Sequence, residues 1–274
     1  MKRYGMSEKG QGANPHPFSA DWGIILGSGL GDCGSSWPHL QSRSFEDVGL
    51  QKPTIPGHHG RLEWRSGPND RVVLFCKGRL HAYEGHALSA VCQTIEFFAK
   101  CGIRRCLITC AAGGIHKQLA PGDLVLAREF VFVNHQDSWK DLARRMEAGA
   151  TIGSIGSDPS FSRFAKGSTN APRLWRGLHA QMIGPSYETP GEVEMLARLG
   201  VWTVGMSSGI ELARARELGL LTGAIAVVAN LACGLGSKAI EHEDVLETMA
   251  KASGNLERVI HHLVLETSSF QFDQ

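Results

Sequence analysis

Trp22 to Gly31 reads WGIILGSGLG, five apolar residues running straight into a glycine-rich turn. An apolar run this short, closed by glycine, fits a strand buried on both faces. Sheets of that kind are covered by helices, and the rest of the chain keeps to the pattern. Strand-like runs recur at 71–76 (RVVLFC), 106–109, 124–133, 180–183, 203–206 and 224–229. Helical patterns lie between them. Leu88, Val91, Ile95 and Phe98 share one face of a helix over 88–100, with Gly102 as its stop. Thr189-Pro190-Gly191-Glu192 is a capping box with proline at the first helical position, opening a helix to about 199. Further helices are predicted over 210–218 and 242–266, the last with a kink near Gly254. This alternation argues α/β with a largely parallel or mixed sheet.

Residues 135–177 break the pattern. They are polar and rich in glycine and serine, and are expected to be irregular. Residues 1–20 read as a loose tail, and 21–274 as one domain. The first twenty residues carry no apolar core of a signal peptide. No apolar run reaches the ~18 residues of a membrane span. With a net charge of +1, no global field draws the chain to nucleic acid or to a membrane. The seven cysteines show no C-x-x-C pair. They read as reduced, mostly buried thiols of a cytoplasmic protein, with no metal site.

Seven motifs could carry chemistry. Gly27-Ser28-Gly29-Leu30-Gly31 can turn backbone N–H groups and a hydroxyl toward an anion. Gly29, Gly31 and Gly34 also fit G-x-G-x-x-G, but a dinucleotide fold needs a helix next, and 32–44 has no helical face. In Gly78-Arg79-Leu80-His81-Ala82-Tyr83, alternation on an extended segment puts Arg79, His81 and Tyr83 on one side. A guanidinium beside an imidazole suits phosphate, although a solvated edge with one core histidine explains that segment as well. Pro56-Gly57-His58-His59 is a loop bearing two histidines. Ala111-Ala112-Gly113-Gly114 leaves room for a ligand at a strand's carboxyl end.

Tyr187 and Glu188 stand just before the capped helix, where an acid also serves the helix dipole. Gly205-Met206-Ser207-Ser208-Gly209 matches the G-x-S-x-G elbow of hydrolases. That alternative would need Asp244 with His261 or His262, all inside the last predicted helix. Asn230 ends a buried strand with a paired donor and acceptor, suited to a purine edge, and His242 opens the last helix.

In this order, the motifs resemble those of the trimeric purine nucleoside phosphorylase family, with 5′-methylthioadenosine phosphorylases as relatives. The resemblance rests on GSGLG (27–31), PGHHGRL (56–62), GRLHAYEGH (78–86), AAGG (111–114), GPSYETPGE (184–192), GMSSGIE (205–211), Asn230 and EHEDVL (241–246). It implies a single-domain α/β fold with a central mixed β-sheet, partly barrel-like and flanked by helices, assembled as a homotrimer. It implies a phosphate site from Ser28, His58, Arg79, His81, the Ala111 backbone and Ser207. The nucleoside would meet Tyr83, Tyr187, Glu188, Met206, Asn230 and His242, with Asn230, Glu188 and His81 as the catalytic set. It implies phosphorolysis of 6-oxopurine nucleosides without a cofactor, inorganic phosphate being the co-substrate.

Three places depart from the family. Cys110 stands where asparagine is common, and Ala229 and Leu231 stand where threonine and lysine are common. Residues 135–177 lack an FPDMS-like motif with its aromatic, for which Phe161 and Phe164 are the substitutes at hand. The alternatives are a phosphorylase for another nucleoside, such as methylthioadenosine or xanthosine, and a nucleoside-binding protein without turnover.

Overall fold

The computed structural model describes residues 17–55, 57–133, 172–236 and 242–266, with the backbone alone for His242 and Glu243. Strand β1 (Trp22–Leu26) lies parallel between β4 (Val72–Lys77) and β5 (Arg105–Gly114). Outside β4, the strands β3 (Arg61–Ser66) and β2 (His39–Ser44) continue the sheet antiparallel. On the far side, β5 pairs along its whole length with β9 (Leu221–Leu231). Strands β6 (Leu124–Phe132), β7 (Leu174–Gln181) and β8 (Val201–Gly205) then complete a ring in the order β5-β8-β7-β6-β9. The nine-stranded mixed sheet is therefore open at one end and a closed five-stranded barrel at the other.

Closure has local causes. Register shifts at Ala112/Gly113, Ala127/Glu129 and Leu178/His179 bend three of the ring strands. Every ring strand sends side chains into one cluster: Cys110 and Ala112, Val125, Ala226 and Val228, with Trp175 and Trp202 packed against them.

The edge of β5 that faces away from β9 is shared. Residues 106–108 pair with β1, and 113–114 with β8. Between them, residues 109–112 have no strand partner on that edge among the described residues. A cleft opens there, where open sheet becomes barrel, and ligands of α/β proteins gather at such topological breaks.

Helices cover both faces. Helix α5 (His242–Glu266) buries Met249, Leu256, Val259 and Leu263 against β1, β6 and β9. It runs unbroken through Gly254, where a kink was expected. Helices α1 (Leu88–Val91), α2 (Gln93–Lys100) and α4 (Gly209–Glu217) cover the other face. Helix α3 (Pro190–Arg198) packs on the barrel and carries the expected box: Thr189 Oγ1 accepts from Glu192 N, and Glu192 accepts from Thr189 N. Two glycines of GSGLG are explained by packing. A Cβ on Gly27 would lie 2.9 Å from Cys110 Cα. Gly29, at φ +74°, leaves a Cβ only 2.7 Å from Met249 on α5.

Several sequence boundaries are corrected. The helix read over 88–100 is two pieces meeting at Cys92. Strand β5 does not stop at 109 but runs through Ala111-Ala112-Gly113-Gly114, because β9 and β8 extend its ladder. Strand β7 begins at Leu174, inside the stretch expected to be irregular. Strands β2 and β3 were unexpected: their polar, half-exposed residues give little apolar signal, and only Leu62 and Trp64 of β3 are buried apolar groups. Phe18 packs its ring 5.7 Å from Trp64. No described helix is long and apolar enough to cross a membrane. All seven cysteines are free, six of them buried. Burial pushes the thiols of Cys76 and Cys106 up to about 12, which suppresses the reactive thiolate.

Candidate active site

The cleft beside β5 is a cavity of about 330 Å³. Turns after β1, β4, β7 and β8, the second half of β5, and the end of β9 all open onto it. Its lining includes Ser28, Arg79, His81, Ala111 and Ser207, and also Tyr83, Tyr187, Glu188, Met206 and Asn230.

Arg79 is 1% exposed. Its Nη1 donates to Glu211 Oε2 at 2.8 Å and to Ser208 Oγ at 3.3 Å, and Nη2 donates to the Thr109 carbonyl. Thr109 Oγ1 in turn accepts from Gly27 N at 3.1 Å and donates to Ile25 O at 2.9 Å. The glycine-rich turn, the unpaired stretch of β5 and the guanidinium are thus tied together.

His81 caps a short 3-10 turn, 82–84. Tyr83 reaches the cavity from that turn, not from an extended segment as the alternation implied, and stacks on His81 at 4.8 Å and 17°. Glu84 Oε1 accepts from His81 N at 2.8 Å and lies 3.1 Å from Nδ1. Burial, then the Arg79 charge, pushes His81 down to about 4, so the ring is neutral at pH 7. With Nδ1–H given to Glu84, Nε2 is left as an acceptor. His58 lies behind this row and does not line the cavity. Its Nε2 is 3.2 Å from Ser28 Oγ, and burial with neighbouring cationic groups pushes it down to about 2. Of the proposed phosphate-site residues, it is the one that meets the cavity only through Ser28.

Elsewhere on the lining, Glu188 is 7% exposed and no cation pairs with it among the described residues. Burial raises its carboxyl above the usual range. Asn230 Nδ2 donates to Leu231 O at 2.8 Å, which leaves the second amide hydrogen and Oδ1 for a ligand. Cys110, Ala112, Val204 and Ala229 add apolar wall. The cavity therefore combines a buried guanidinium and hydroxyls with apolar walls, one carboxylate and one amide.

Of the expected residues, His242 is described only in its backbone, and Pro56, Phe161 and Phe164 lie outside the described residues. The hydrolase alternative does not assemble. Asp244, His261 and His262 lie on α5 and none lines the cavity with Ser207: His261 packs edge-on to Trp37 at 6.1 Å and His262 meets Glu266 at 3.5 Å. The dinucleotide alternative fails too, since turns and then β2 follow GSGLG where a helix is needed. Sequence reasoning passed over Glu84, Thr109, Ser208 and Glu211. The spacing of Ser208 and Glu211, three apart before a helix, is itself a capping signal.

Behind the cavity floor, His179 is fully buried, with Nδ1 2.9 Å from Thr203 Oγ1. Burial pushes it down to about 4. Its folded value lies below the ordinary 6.5, so the unfolded chain binds more protons between these limits. Its stabilising share is complete above about pH 6.5 and is lost as pH falls toward 4, reaching about 2 kcal/mol at pH 5. In His179→Gln, urea unfolding should show a shallower loss of stability from pH 7 to 5 than the parent. Parallel profiles would remove His179 from the acid response.

The chain belongs to the phosphorylase superfamily, whose family model matches residues 22–265. Within it, the chain groups with the purine nucleoside phosphorylases and is an enzyme. Purine nucleoside phosphorylase of Mycobacterium leprae is 33% identical over 82% of each chain. Purine nucleoside phosphorylase 1 of Geobacillus stearothermophilus is 28% identical over 90% of this chain and 92% of its own. The fold matches a crystal structure of the Schistosoma mansoni purine nucleoside phosphorylase in complex with inosine, with TM-score 0.76, 24% identity and 92% of each chain covered.

Proposed function

We propose that this enzyme cleaves 6-oxopurine nucleosides and 2′-deoxynucleosides, such as inosine and guanosine, with inorganic phosphate, giving free base and (deoxy)ribose 1-phosphate. One observation carries this: a single cavity is lined by Arg79, His81 and two serines, which suit phosphate, and by Glu188 and Asn230, which suit a purine edge, together with Tyr83 and apolar side chains. The names of the relatives and the inosine complex of the Schistosoma enzyme point the same way.

The chemistry follows from these groups. As the glycosidic bond lengthens, positive charge grows on the sugar and negative charge on the purine. Phosphate bound at Arg79, Ser28, Ser207 and the Ala111 backbone sits on the sugar side, stabilises that charge and attacks the anomeric carbon. Neutral His81 accepts a hydrogen bond from the phosphate hydroxyl at Nε2 while Glu84 holds Nδ1–H. The electrons of the broken bond go to the purine ring, which Asn230 stabilises by donating near N7, and the base leaves with one proton. Glu188 accepts from the ring N–H on the opposite edge, the pattern that an oxo group at C6 presents. Hydrogen phosphate and nucleoside thus become base and sugar phosphate with no atom unaccounted for. No covalent intermediate, cofactor or metal is needed. We place the enzyme in the cytoplasm as a homotrimer in purine salvage, with no nucleic-acid or membrane partner.

The test is base release from inosine, guanosine, adenosine and methylthioadenosine, with and without phosphate. Phosphate-dependent release of hypoxanthine and guanine is expected. Faster release of adenine from methylthioadenosine would move the assignment to another nucleoside. Phosphate-independent release would make it a hydrolase, and tight inosine binding without any release would make it a binding protein.

A further inference from the structure

Glu211 is a side chain to which the chemistry above assigns no task. It lies on α4, is 1% exposed and does not line the cavity. It is nevertheless tied to two parts of the proposed phosphate site that come from distant strands. Its Oε2 accepts from Arg79 Nη1 at 2.8 Å, and Arg79 stands on the turn after β4. Glu211 Oε1 is buried with no hydrogen-bond partner among the described residues, so Arg79 is what holds the carboxylate. Ser208 is held at φ +83°, an unfavourable left-handed conformation for a residue with a side chain, and it joins Ser207 to α4. Ser208 Oγ also accepts from Arg79 Nη1 at 3.3 Å. One guanidinium nitrogen thus bridges the Glu211 carboxylate and the Ser207–Ser208 turn.

We infer that Glu211 is the positioning residue of the proposed phosphate site, locking the Arg79 guanidinium to the Ser207–Ser208 turn so that both meet the same phosphate. This rests on the phosphorylase reading for the identity of the anion, while the geometry itself does not. Glu211 touches no substrate and acts only through Arg79 and the turn. Glutamine has the same shape, but it offers the guanidinium a neutral amide oxygen in place of a carboxylate. Losing a charged hydrogen bond of this kind weakens an interaction by about tenfold or more.

The experiment compares the full-length enzyme with Glu211→Gln in two assays. The first is steady-state phosphorolysis of inosine with each substrate varied in turn. KM for phosphate is expected to rise about tenfold or more, with KM for inosine within about twofold. The second is thermal stabilisation by inorganic phosphate alone, which needs no turnover: the parent should gain in Tm and the variant should gain far less. Glu211→Asp, which keeps the charge on a shorter arm, serves if the glutamine variant does not fold and should show the same split. Equal losses for both substrates, or an undiminished Tm gain with phosphate, would overturn the inference. If the parent itself neither uses nor is stabilised by phosphate, the phosphorylase reading fails instead.

Discussion

Arg79→Met should lose both stability and activity, and the stability loss should be pH-dependent. Arg79 and Glu211 form an ion pair in which each side chain is 1% exposed. Removing one partner strands a buried charge, at a cost of about 3–5 kcal/mol. The orphaned carboxylate will take up a proton instead of staying charged. Burial already raises Glu211 above the usual carboxylate range, and Arg79 is what holds it down. In the variant, the folded pKa lies further above the unfolded one, so the folded state binds more protons between them. Stability then falls as pH rises through that interval and is regained at acid pH. The parent, with its depressed histidines, moves the opposite way. Urea unfolding of both proteins at pH 5 and 8 reads this directly: the gap should be smaller at pH 5. A gap that is constant or wider at pH 5 would show that Glu211 is charged whether or not Arg79 is present. Phosphorolysis should be lost in the variant at every pH, because no other arginine among the described residues lines the cavity.

Asn230→Ala is expected to have the second-largest effect, and it should fall on turnover. The amide lines the cavity near the end of β9, with one hydrogen committed to Leu231 O. In the proposed mechanism its free hydrogen meets charge that develops on the ring only as the bond breaks. Removing one such donor costs about 10²- to 10³-fold in kcat, roughly 2.7–4 kcal/mol. On the proposed reading phosphate is held by Arg79 and the serines, so its KM should move little. Equal kcat in variant and parent would take Asn230 out of the mechanism. A matching loss in phosphate KM would mean that the substitution disturbs the cavity as a whole.

The two residues differ in how plainly the sequence announces them. Asn230 interrupts an apolar run, Val227-Val228-Ala229, and a polar residue at the end of a buried strand is conspicuous without coordinates. Glu211 sits in a helical stretch beside Arg214 and Arg216 and reads as ordinary helix surface. Its burial follows from α4 packing against α1, α2 and β9, and those contacts join residues far apart in the chain. His58 shows the same limit in the other direction. Its loop marks it as a candidate ligand group, and only the fold shows that it stands next to Ser28 and off the cavity wall. Alternation placed Arg79 and His81 together, and both do line the cavity, but Tyr83 arrives there by a helical turn that alternation could not foresee.

The sequence by itself determined the α/β class, most strands and helices, the α3 cap and the set of glycine-rich turns. Each of these depends on neighbours within a few residues, where periodicity and turn chemistry are set by local sterics. It also placed Ser28, Arg79, His81, Glu188, Ser207 and Asn230 at the ends of elements, where ligands are met. Tertiary structure alone decided that five strands close into a barrel, that β5 shares one edge between β1 and β8, and that a cavity opens at the unpaired residues between. It alone tied Arg79 to Glu211 across 132 positions of chain. Strand pairing and burial depend on which distant segments meet, and the free energy of a buried charge depends on what surrounds it. Neither quantity is written in any local stretch of residues.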